Sequence, residues 1–398
     1  MKIMKCSTLL LVCLGGILHS VSAQEFDYTF SVREVKFGGT GSISIREDST
    51  VLVYTKANWH QSGHREPAAY TSGNALSASA KFEISCAARP DSVWIRGFGS
   101  DTMNLPARVA KPVLDSGRYT FNYPLTAADK AFPSGIVNYY DPFRIKWEVS
   151  LDNCAHWTYI DETEHKLYVT KQAPVPENPY YLHFHTLLEL SCKNAKGLSV
   201  DSDIIHACFE EFTDHEVLNY KGQTFTYYAY SMFGGASDLR QLFRQKDGVC
   251  YAYAQFFIAL LKVQGIARTN NYINFYNDLC PDPCGYAGGI IVKNWDFGPK
   301  SDTLACPGFP YLYDLATELP GAPGVGTPNP VVSGFANHQL AKIDGMYYDA
   351  CYGIKAKTMA EYKRLALEGF VVYDTARALN RFTKDLDKCD FTETVETY

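Results

Sequence analysis

The hydrophobic positions of the chain follow a period of two in its first part. Between residues 26 and 170, apolar and polar residues alternate in short segments separated by turn residues, for example in residues 51–54 and 143–149. Such alternation, with many β-branched and aromatic residues, predicts strands. Many short strands at close spacing predict an all-β sandwich, and we expect residues 24–172 to form an immunoglobulin-like β domain.

This pattern ends at a proline-rich segment. Three prolines fall within residues 172–179, a composition that suits a semi-rigid linker. The predicted linker covers residues 173–180, and a second domain follows over residues 181–398. Because the second domain changes to a helical period, the fold class expected for the whole chain is α+β.

Apolar residues at helical spacing, or residues typical of helix ends, predict three helices in addition to the one that carries the candidate chemistry. The apolar stripe of the first consists of Ile204, Ile205, Cys208, Phe209 and Phe212. Asp201 or Ser202 is its expected N-cap, and Ser237 is the expected cap of a second, short helix. Thr358 has capping-box spacing for a third helix, which Gly369 is expected to end.

The first 23 residues have the three parts of an export signal. Lys2 and Lys5 give a positively charged start, residues 9–18 are apolar, and small residues precede Gln24. The apolar run is shorter than the ~20 residues that a membrane-spanning helix needs, and no later segment comes close to that length. We expect cleavage after Ala23, a secreted or periplasmic protein, and no membrane span.

Charge and cysteine content limit the classes of function and the cellular compartment that we expect for the protein. The 398 residues carry a formal net charge of -6 without a block of Lys or Arg, so the electrostatic signature of a nucleic-acid-binding protein is missing. No nucleic-acid partner is expected. Ten of the 12 cysteines follow residue 23, and in an oxidising compartment most of them are expected to form disulfides.

The most informative segment surrounds Cys250. Gly248 is expected to allow a sharp turn, and residues 250–264 then have the pattern of a strong helix that Gly265 ends. Cys250 would lie in the first turn, where the positive end of the helix dipole favours a thiolate. A buried structural cysteine fits the same position, so this motif alone leaves both interpretations open.

A nucleophilic cysteine needs a base, and His338 is the one histidine that follows Cys250. Asp344 and Gly345, between two alternating segments, predict a hairpin with a two-residue type I′ turn. In that register the side chains of His338 and Asp349 are diagonal neighbours on one face, about 7–8 Å apart between backbone positions. The hairpin alone therefore predicts a His–Asp pair, whereas its packing against Cys250 depends on the fold.

The order of these residues resembles the transglutaminase-like superfamily. The shared features are a glycine and then a cysteine at a helix start, a helix ending in Leu-Leu-x-x-x-Gly-Ile at residues 260–266, and a later histidine and aspartate on adjacent strands. The resemblance covers roughly residues 180–398. It implies a papain-like fold with a catalytic triad at Cys250, His338 and Asp349, and secreted bacterial members often have a preceding β-sandwich.

The chain departs from the family pattern in three respects. Leu340 stands where many members have an aromatic residue, and the interval between His338 and Asp349 is shorter than usual. The interval between Cys250 and His338 is long because it contains a Gly- and Pro-rich insertion at about residues 278–331. Such a loop beside an active site is either a lid or specificity element, or surface decoration.

The resemblance implies an enzyme that attacks amide bonds of a protein or peptide substrate through a thioester on Cys250. His338 would act as the base and Asp349 would orient it. Hydrolysis is favoured over cross-linking, because water is always present and no amine site is evident. The alternative is a non-catalytic binding or structural module that retains the fold. If the protein is an enzyme, we expect the β domain to position it on a cell-surface or cell-wall partner. No cofactor is expected.

Cys351 shares the predicted face of His338 and Asp349. A disulfide between Cys351 and Cys250 would silence the enzyme until it is reduced. The favoured interpretation is instead a structural bridge to Cys389 or a free buried thiol.

Two possible metal motifs are set aside. Cys280, Cys284 and Cys306 have short spacing but no nearby histidine, so disulfides are favoured over zinc. His183 and His185 alternate on an expected strand without a third ligand. No metal site is predicted.

Overall fold

The computed structural model describes residues 3–8, 24–49, 53–54, 58–86, 89–175, 183–227, 236–267, 271–279, 288–292, 311–313, 325–326, 337–374, 379–387 and 390–396. It contains both helices and strands, which agrees with the α+β class. The chain divides into two compact units, Met1–Ile45 with Val53–Ala173 and Arg46–Leu52 with Pro174–Tyr398. Most of the predicted export signal, linker and insertion lies outside the described residues.

The first unit contains strands and one 3-10 turn at Ser100–Thr102. Its strands are β1 Ile3–Thr8, β2 Gln24–Phe37, β3 Ile45–Arg46, β4 Val53–Tyr54, β5 Asn58–His60, β6 Ala68–Thr71, β7 Ala75–Cys86, β8 Val93–Gly99, β9 Asn104–Ala110, β10 Val113–Asp115, β11 Arg118–Ala131, β12 Asn138–Ser150 and β13 Thr158–Thr170. The last residue of β3 groups with the second unit.

Two larger sheets of this unit share one hydrophobic core. The first has the order β1-β2-β7-β11-β10 with β5 also paired to β2, and the second has the order β6-β13-β12-β8-β9. Phe82 of the first sheet packs edge-on against Trp147 of the second, with ring centroids 5.3 Å apart. Both side chains are fully buried, and the Trp147 indole N–H donates to Thr163 Oγ1 at 3.0 Å. The alternating pattern of the sequence therefore corresponds to inward residues of two sheets.

The second unit combines helices with short strands. Its elements are α1 His185–Asn194, α2 Asp201–Glu210, β14 Thr226–Tyr227, α3 Leu239–Gln245, β15 Asp247–Gly248, α4 Cys250–Val263, β16 Asn271–Leu279, β17 Gly288–Val292, β18 Tyr311–Tyr313, β19 Asn337–Ile343, β20 Met346–Asp349, β21 Ile354–Ala356, α5 Met359–Ala366, β22 Leu367–Asp374, β23 Leu379–Thr383 and β24 Asp390–Glu396. Three sheets have the orders β21-β20-β19-β16-β24, β17-β22-β23-β18 and β14-β15. Among the described residues, no helix is both long and apolar enough to span a membrane.

Helix α4 is the central helix of the second unit. It contacts α1, α2, α3 and β19, and its aromatic residues pack against those of the neighbouring helices. Phe257 meets Phe209 of α2 at 5.2 Å and Phe256 meets Phe243 of α3 at 5.0 Å between ring centroids. Gly265 follows the helix at φ +76°, and the Ile266 N–H donates to Leu261 O at 3.1 Å. This C-terminal motif needs a left-handed residue at the glycine position, so the predicted helix and its end are confirmed.

The predicted hairpin is also confirmed. Ile343 pairs with Met346 and Ala341 with Tyr348 across β19 and β20. Asp344 and Gly345 have φ values of 52° and 83°, as a type I′ turn requires at both central positions. This register places His338 and Asp349 on the same side of the sheet.

Several predicted helix ends were wrong. Val200 is the N-cap of α2, so Asp201 belongs to its first turn rather than to the cap. Asp238, and not Ser237, caps α3, and its side chain accepts from the Gln241 N–H at 2.8 Å. In both cases the cap is displaced by one or two residues, within the usual uncertainty of helix boundaries predicted from a pattern.

The predicted role of Gly369 was also wrong. Thr358 does cap α5, accepting from the Glu361 N–H at 3.1 Å, but the helix ends at Ala366 and the chain continues directly into β22. Gly369 lies within that strand, where a Cβ would come to 2.0 Å from Thr383 O. Glycine is therefore needed for the close approach of two backbones.

The start of α1 depends on a distant segment. His185 begins this helix instead of lying on a strand, and Asp48 accepts from the Thr186 N–H at 3.2 Å and from Thr186 Oγ1 at 2.5 Å. Burial raises the pKa of Asp48 to about 6, although the bonds from Thr186 act in the opposite direction. A carboxylate supplied by residues 46–52 thus caps a helix of the second unit.

Candidate active site

Cys250 is the first residue of α4, at the point where β15 passes into the helix. Strand β15 is fixed by parallel pairing with Thr226–Tyr227 and by the bond from the Val249 N–H to Ala236 O at 3.0 Å. A Cβ on Gly248 would lie 2.8 Å from Leu242 Cδ1. Gly248 therefore serves close packing within a strand, and the sharp turn predicted there was wrong.

His338 and Asp349 meet as the hairpin register predicts. His338 Nε2 lies 2.9 Å from Asp349 Oδ2, and both side chains are removed from solvent, with exposed fractions of 2% and 0%. Strand β19, which carries the histidine, packs against α4. The hairpin alone did not predict this packing, which brings the strand of His338 against the helix that begins at Cys250.

The Cys250 and His338 side chains lie close enough to interact electrostatically. Because Nε2 faces Asp349, Nδ1 is the ring nitrogen available to the sulfur. Burial lowers the pKa of His338, but the Asp349 carboxylate and Cys250 together outweigh it and raise this pKa to about 10. The three predicted site residues are therefore brought into one line, in which the histidine is held in its protonated form.

Asp349 has two further donors that the sequence reasoning missed. The Tyr362 hydroxyl donates to Oδ2 at 2.8 Å, and the Cys351 N–H donates to Oδ1 at 2.9 Å. Tyr362 lies on the buried side of α5 together with Ala366. The spacing of these two residues marks a buried stripe, but nothing in the sequence shows which element that stripe contacts.

Tyrosines and a second thiol enclose the pair. The Tyr352 ring lies 5.8 Å from the His338 ring, and Tyr227 contacts both Tyr352 and Tyr253. Burial, the charge of Asp349 and the proximity of Cys250 raise the pKa of Cys351 well above its usual range. The ligand atoms of His338, Asp349 and Cys351 all lie within 4.8 Å of one another.

Six cysteines of the described part of the chain form no disulfide with one another. They are Cys86, Cys154, Cys192, Cys208, Cys250 and Cys351. For Cys351 this agrees with the buried-thiol alternative, and the expected disulfides are not formed among these six. Cys280, Cys284, Cys306 and Cys389 lie outside the described residues.

Part of the predicted insertion contacts the site. The Val325 N–H donates to Cys351 O at 2.9 Å, and the Tyr227 N–H donates to Val325 O at 2.9 Å. Val325 is fully buried, and a Cβ on Gly326 would come to 1.9 Å from Phe225 O. At these two positions the insertion is an integral part of the wall around Cys351.

Leu340 and two glutamines of α3 differ in burial. Leu340, two positions after His338, is fully buried. Gln241 and Gln245 have exposed side chains on α3, whereas Cys250 and His338 are buried. The sequence and structure assign neither glutamine to the site.

Searches against protein-family models and among curated proteins found no match to this chain.

Proposed function

We propose that this protein is a transglutaminase-like cysteine enzyme that attacks amide bonds of proteins or peptides through a thioester. The observation that supports the proposal is the grouping of Cys250, His338 and Asp349, with the carboxylate 2.9 Å from the imidazole and the thiol close enough to interact electrostatically with the same ring. A nucleophile, a base and an orienting group in hydrogen-bond reach are what covalent catalysis requires.

In the first half of the reaction, the Cys250 thiolate attacks the carbonyl carbon of the substrate. The protonated His338 gives its Nδ1 proton to the leaving nitrogen as the C–N bond breaks, which leaves a thioester and a neutral imidazole. In the second half, His338 takes a proton from water, which attacks the thioester carbon. The C–S bond then breaks, releasing a carboxylic acid and restoring the thiolate.

Two parts of the fold support the charged states of this reaction. The first backbone N–H groups of α4 have no acceptor within the helix, so the Cys250 N–H is suited to donate to the oxyanion. Asp349 stays aligned because three donors fix both of its oxygens. These contacts hold the imidazole in one orientation through both half-reactions.

The remaining expectations form part of the same proposal. The second unit would have the papain-like arrangement, and the first would be an immunoglobulin-like sandwich that positions the enzyme on a cell-surface or cell-wall partner. An export signal that is cleaved after Ala23 would direct the protein to the periplasm or the exterior. Hydrolysis is preferred over transfer to an amine, since water needs no dedicated site.

Thiol reactivity provides the first test. The folded protein, in EDTA, is treated with iodoacetamide between pH 4 and 9, and each cysteine is followed by mass spectrometry. Cys86 and Cys154 are half-buried free thiols and serve as internal references. Although Cys250 is only 7% exposed, we expect it to react faster than both references below pH 7, because the thiolate is the nucleophile.

His338→Ala should slow the modification of Cys250 and leave Cys86 and Cys154 unchanged. If Cys250 reacts more slowly than the references, or at the same rate in the variant, the enzyme proposal fails and a binding module becomes the better interpretation. Hydroxylamine added with glutamine-containing peptides then separates the two reactions. A hydroxamate product shows transfer to an amine, and a free acid alone shows hydrolysis.

A further inference from the structure

Beside the nucleophile, three possible metal ligands lie together, and one of them, Cys351, has no role in the proposed reaction. His338, Asp349 and Cys351 offer one nitrogen, one oxygen and one sulfur, all within 4.8 Å of one another. Their side chains are almost completely buried, with exposed fractions of 2%, 0% and 1%. The reaction requires the first two, but it gives no role to a thiol at this position.

We propose that His338, Asp349 and Cys351 bind a zinc-class divalent cation and that this cation switches off the enzyme. Histidine nitrogen, carboxylate oxygen and cysteine sulfur are the three ligand types that Zn²⁺ takes in proteins. Hard cations such as Mg²⁺ and Ca²⁺ prefer oxygen ligands throughout. These three ligand types therefore indicate a zinc-class cation rather than Mg²⁺ or Ca²⁺.

The spacing is compatible with a tetrahedral site after small side-chain rotations. Typical Zn–S and Zn–N bond lengths place neighbouring ligand atoms about 3.3–3.8 Å apart. The nitrogen and oxygen here are 2.9 Å apart, and the sulfur lies within the 4.8 Å limit. The sulfur has to approach the other two by about 1 Å or less, which the Cys351 side-chain torsion can supply.

The residues that contact Asp349 and Cys351 also support a cation site. Tyr362 and the Cys351 N–H donate to Asp349, as outer partners of metal-binding carboxylates do. The Tyr253 hydroxyl is fully buried and has no hydrogen-bond partner in the described part of the chain. It lies close enough to Cys351 to interact with it electrostatically. With three protein ligands the fourth position holds water, and Tyr253 is the donor or acceptor that such a water needs.

Binding of the cation and catalysis exclude each other. To bind the cation, His338 loses its Nε2 proton and Cys351 loses its thiol proton, and both protons pass to solvent. The proton that remains on the ring is then on Nδ1, facing Cys250. In this state His338 has no free lone pair to accept a proton from the attacking water. This consequence rests on the proposed function, whereas cation binding itself does not.

Cobalt is a suitable probe because thiolate coordination gives a charge-transfer band and tetrahedral geometry gives visible d–d bands. The reduced, chelator-free protein is titrated with Co²⁺, then with Zn²⁺ as competitor, and the metal content after gel filtration is measured. We expect one cation per chain, displacement of Co²⁺ by Zn²⁺, and no competition from Mg²⁺ or Ca²⁺. Cys351→Ala should remove the charge-transfer band and weaken binding more than about 100-fold.

Variants at three cysteines separate the possible results. Cys250→Ala should keep the band, so cation binding is measured even in an inactive chain and its failure is distinguishable from failure of the enzyme proposal. Cys208→Ala removes another fully buried thiol and should also keep the band. If Cys351→Ala does not fold by circular dichroism, Cys351→Ser replaces it. A wild-type protein without the band, or a band that survives in the Cys351 variant or disappears in Cys250→Ala, overturns the proposal.

Discussion

His165 in the first unit and His338 in the second are buried to almost the same extent, yet their protonation differs. Both side chains are nearly inaccessible, with exposed fractions of 6% and 2%. Burial lowers the pKa of His165 to about 3, with a small contribution from Arg65. The pKa of His338 is instead raised to about 10, because Asp349 and Cys250 outweigh the same effect of burial.

The neighbours of each ring explain the difference. His165 Nε2 lies 2.8 Å from Thr163 Oγ1, which also accepts from the Trp147 N–H. The Thr163 hydroxyl can donate its proton to an unprotonated His165 Nε2, and Phe37 packs against the His165 ring with centroids 4.7 Å apart. His338 faces a carboxylate on one side and a thiol on the other. A buried histidine is thus a structural acceptor or a proton carrier according to its partners.

The largest expected effect comes from removing the carboxylate. Asp349→Asn deletes the charge that raises the pKa of His338, so the ring should become neutral at pH 7 and behave more like His165. Turnover of a peptide amide should fall about a thousandfold, since the acid–base partner is lost. The imidazole ¹⁵N shifts of His338, followed by NMR in EDTA between pH 5 and 10, check the protonation state directly.

His165 provides the control within the same spectra, because its signals should not change in this variant. A His338 ring that stays protonated at pH 8 without Asp349 would show that the comparison is wrong and that another group holds the charge.

An intermediate effect is expected from His165→Gln. The unfolded chain binds a proton at this residue below about pH 6.5, whereas the folded unit does so only below about pH 3. The unfolded state therefore binds more protons in this window, and stability is lost as the pH falls from 6.5 towards 3. Relative to pH 7, the loss due to His165 should be about 2 kcal/mol at pH 5.

His165→Gln should remove this dependence while changing stability little at pH 7. Urea unfolding followed by tryptophan fluorescence measures it, since four of the five tryptophans, Trp59, Trp94, Trp147 and Trp157, belong to the first unit. His64→Gln, which changes an exposed histidine of the same unit, should keep the slope of the wild type. A wild-type stability that does not vary between pH 7 and pH 5 would contradict the neutral state of His165.

The two histidines also show what the sequence could predict. The contact between His338 and Asp349 follows from one hairpin, and the signal for that hairpin, Asp344-Gly345, is local. The helix that begins at Cys250 was likewise recognisable from its apolar face and Gly265. These predictions succeeded because the turn and the helix end each require a backbone conformation that few residues adopt.

What the sequence could not predict depends on contacts between distant segments. Asp48 caps α1 across 138 positions of the chain, and Val325 reaches Cys351 from within the insertion. The helix that carries Tyr362 was predicted, but its contact with Asp349 was not. Periodicity shows which face of an element is buried and does not show what covers that face.

The smallest effect is expected at Tyr362, and it refines the comparison. Tyr362→Phe removes one donor from Asp349 but leaves the carboxylate charge and the other two donors. His338 should stay protonated at pH 7, in contrast to Asp349→Asn. Because the carboxylate can then rotate, iodoacetamide modification of Cys250 should slow by about tenfold, which corresponds to the loss of one hydrogen bond to a charged group.

The matched control is Tyr348→Phe, which removes a buried hydroxyl whose partner is Met346 Sδ at 3.9 Å. A purely structural role would lower the thermal stability of the two variants alike and leave the NMR signal of the His338 Nε2 proton unchanged, whereas a positioning role shifts that signal only in Tyr362→Phe.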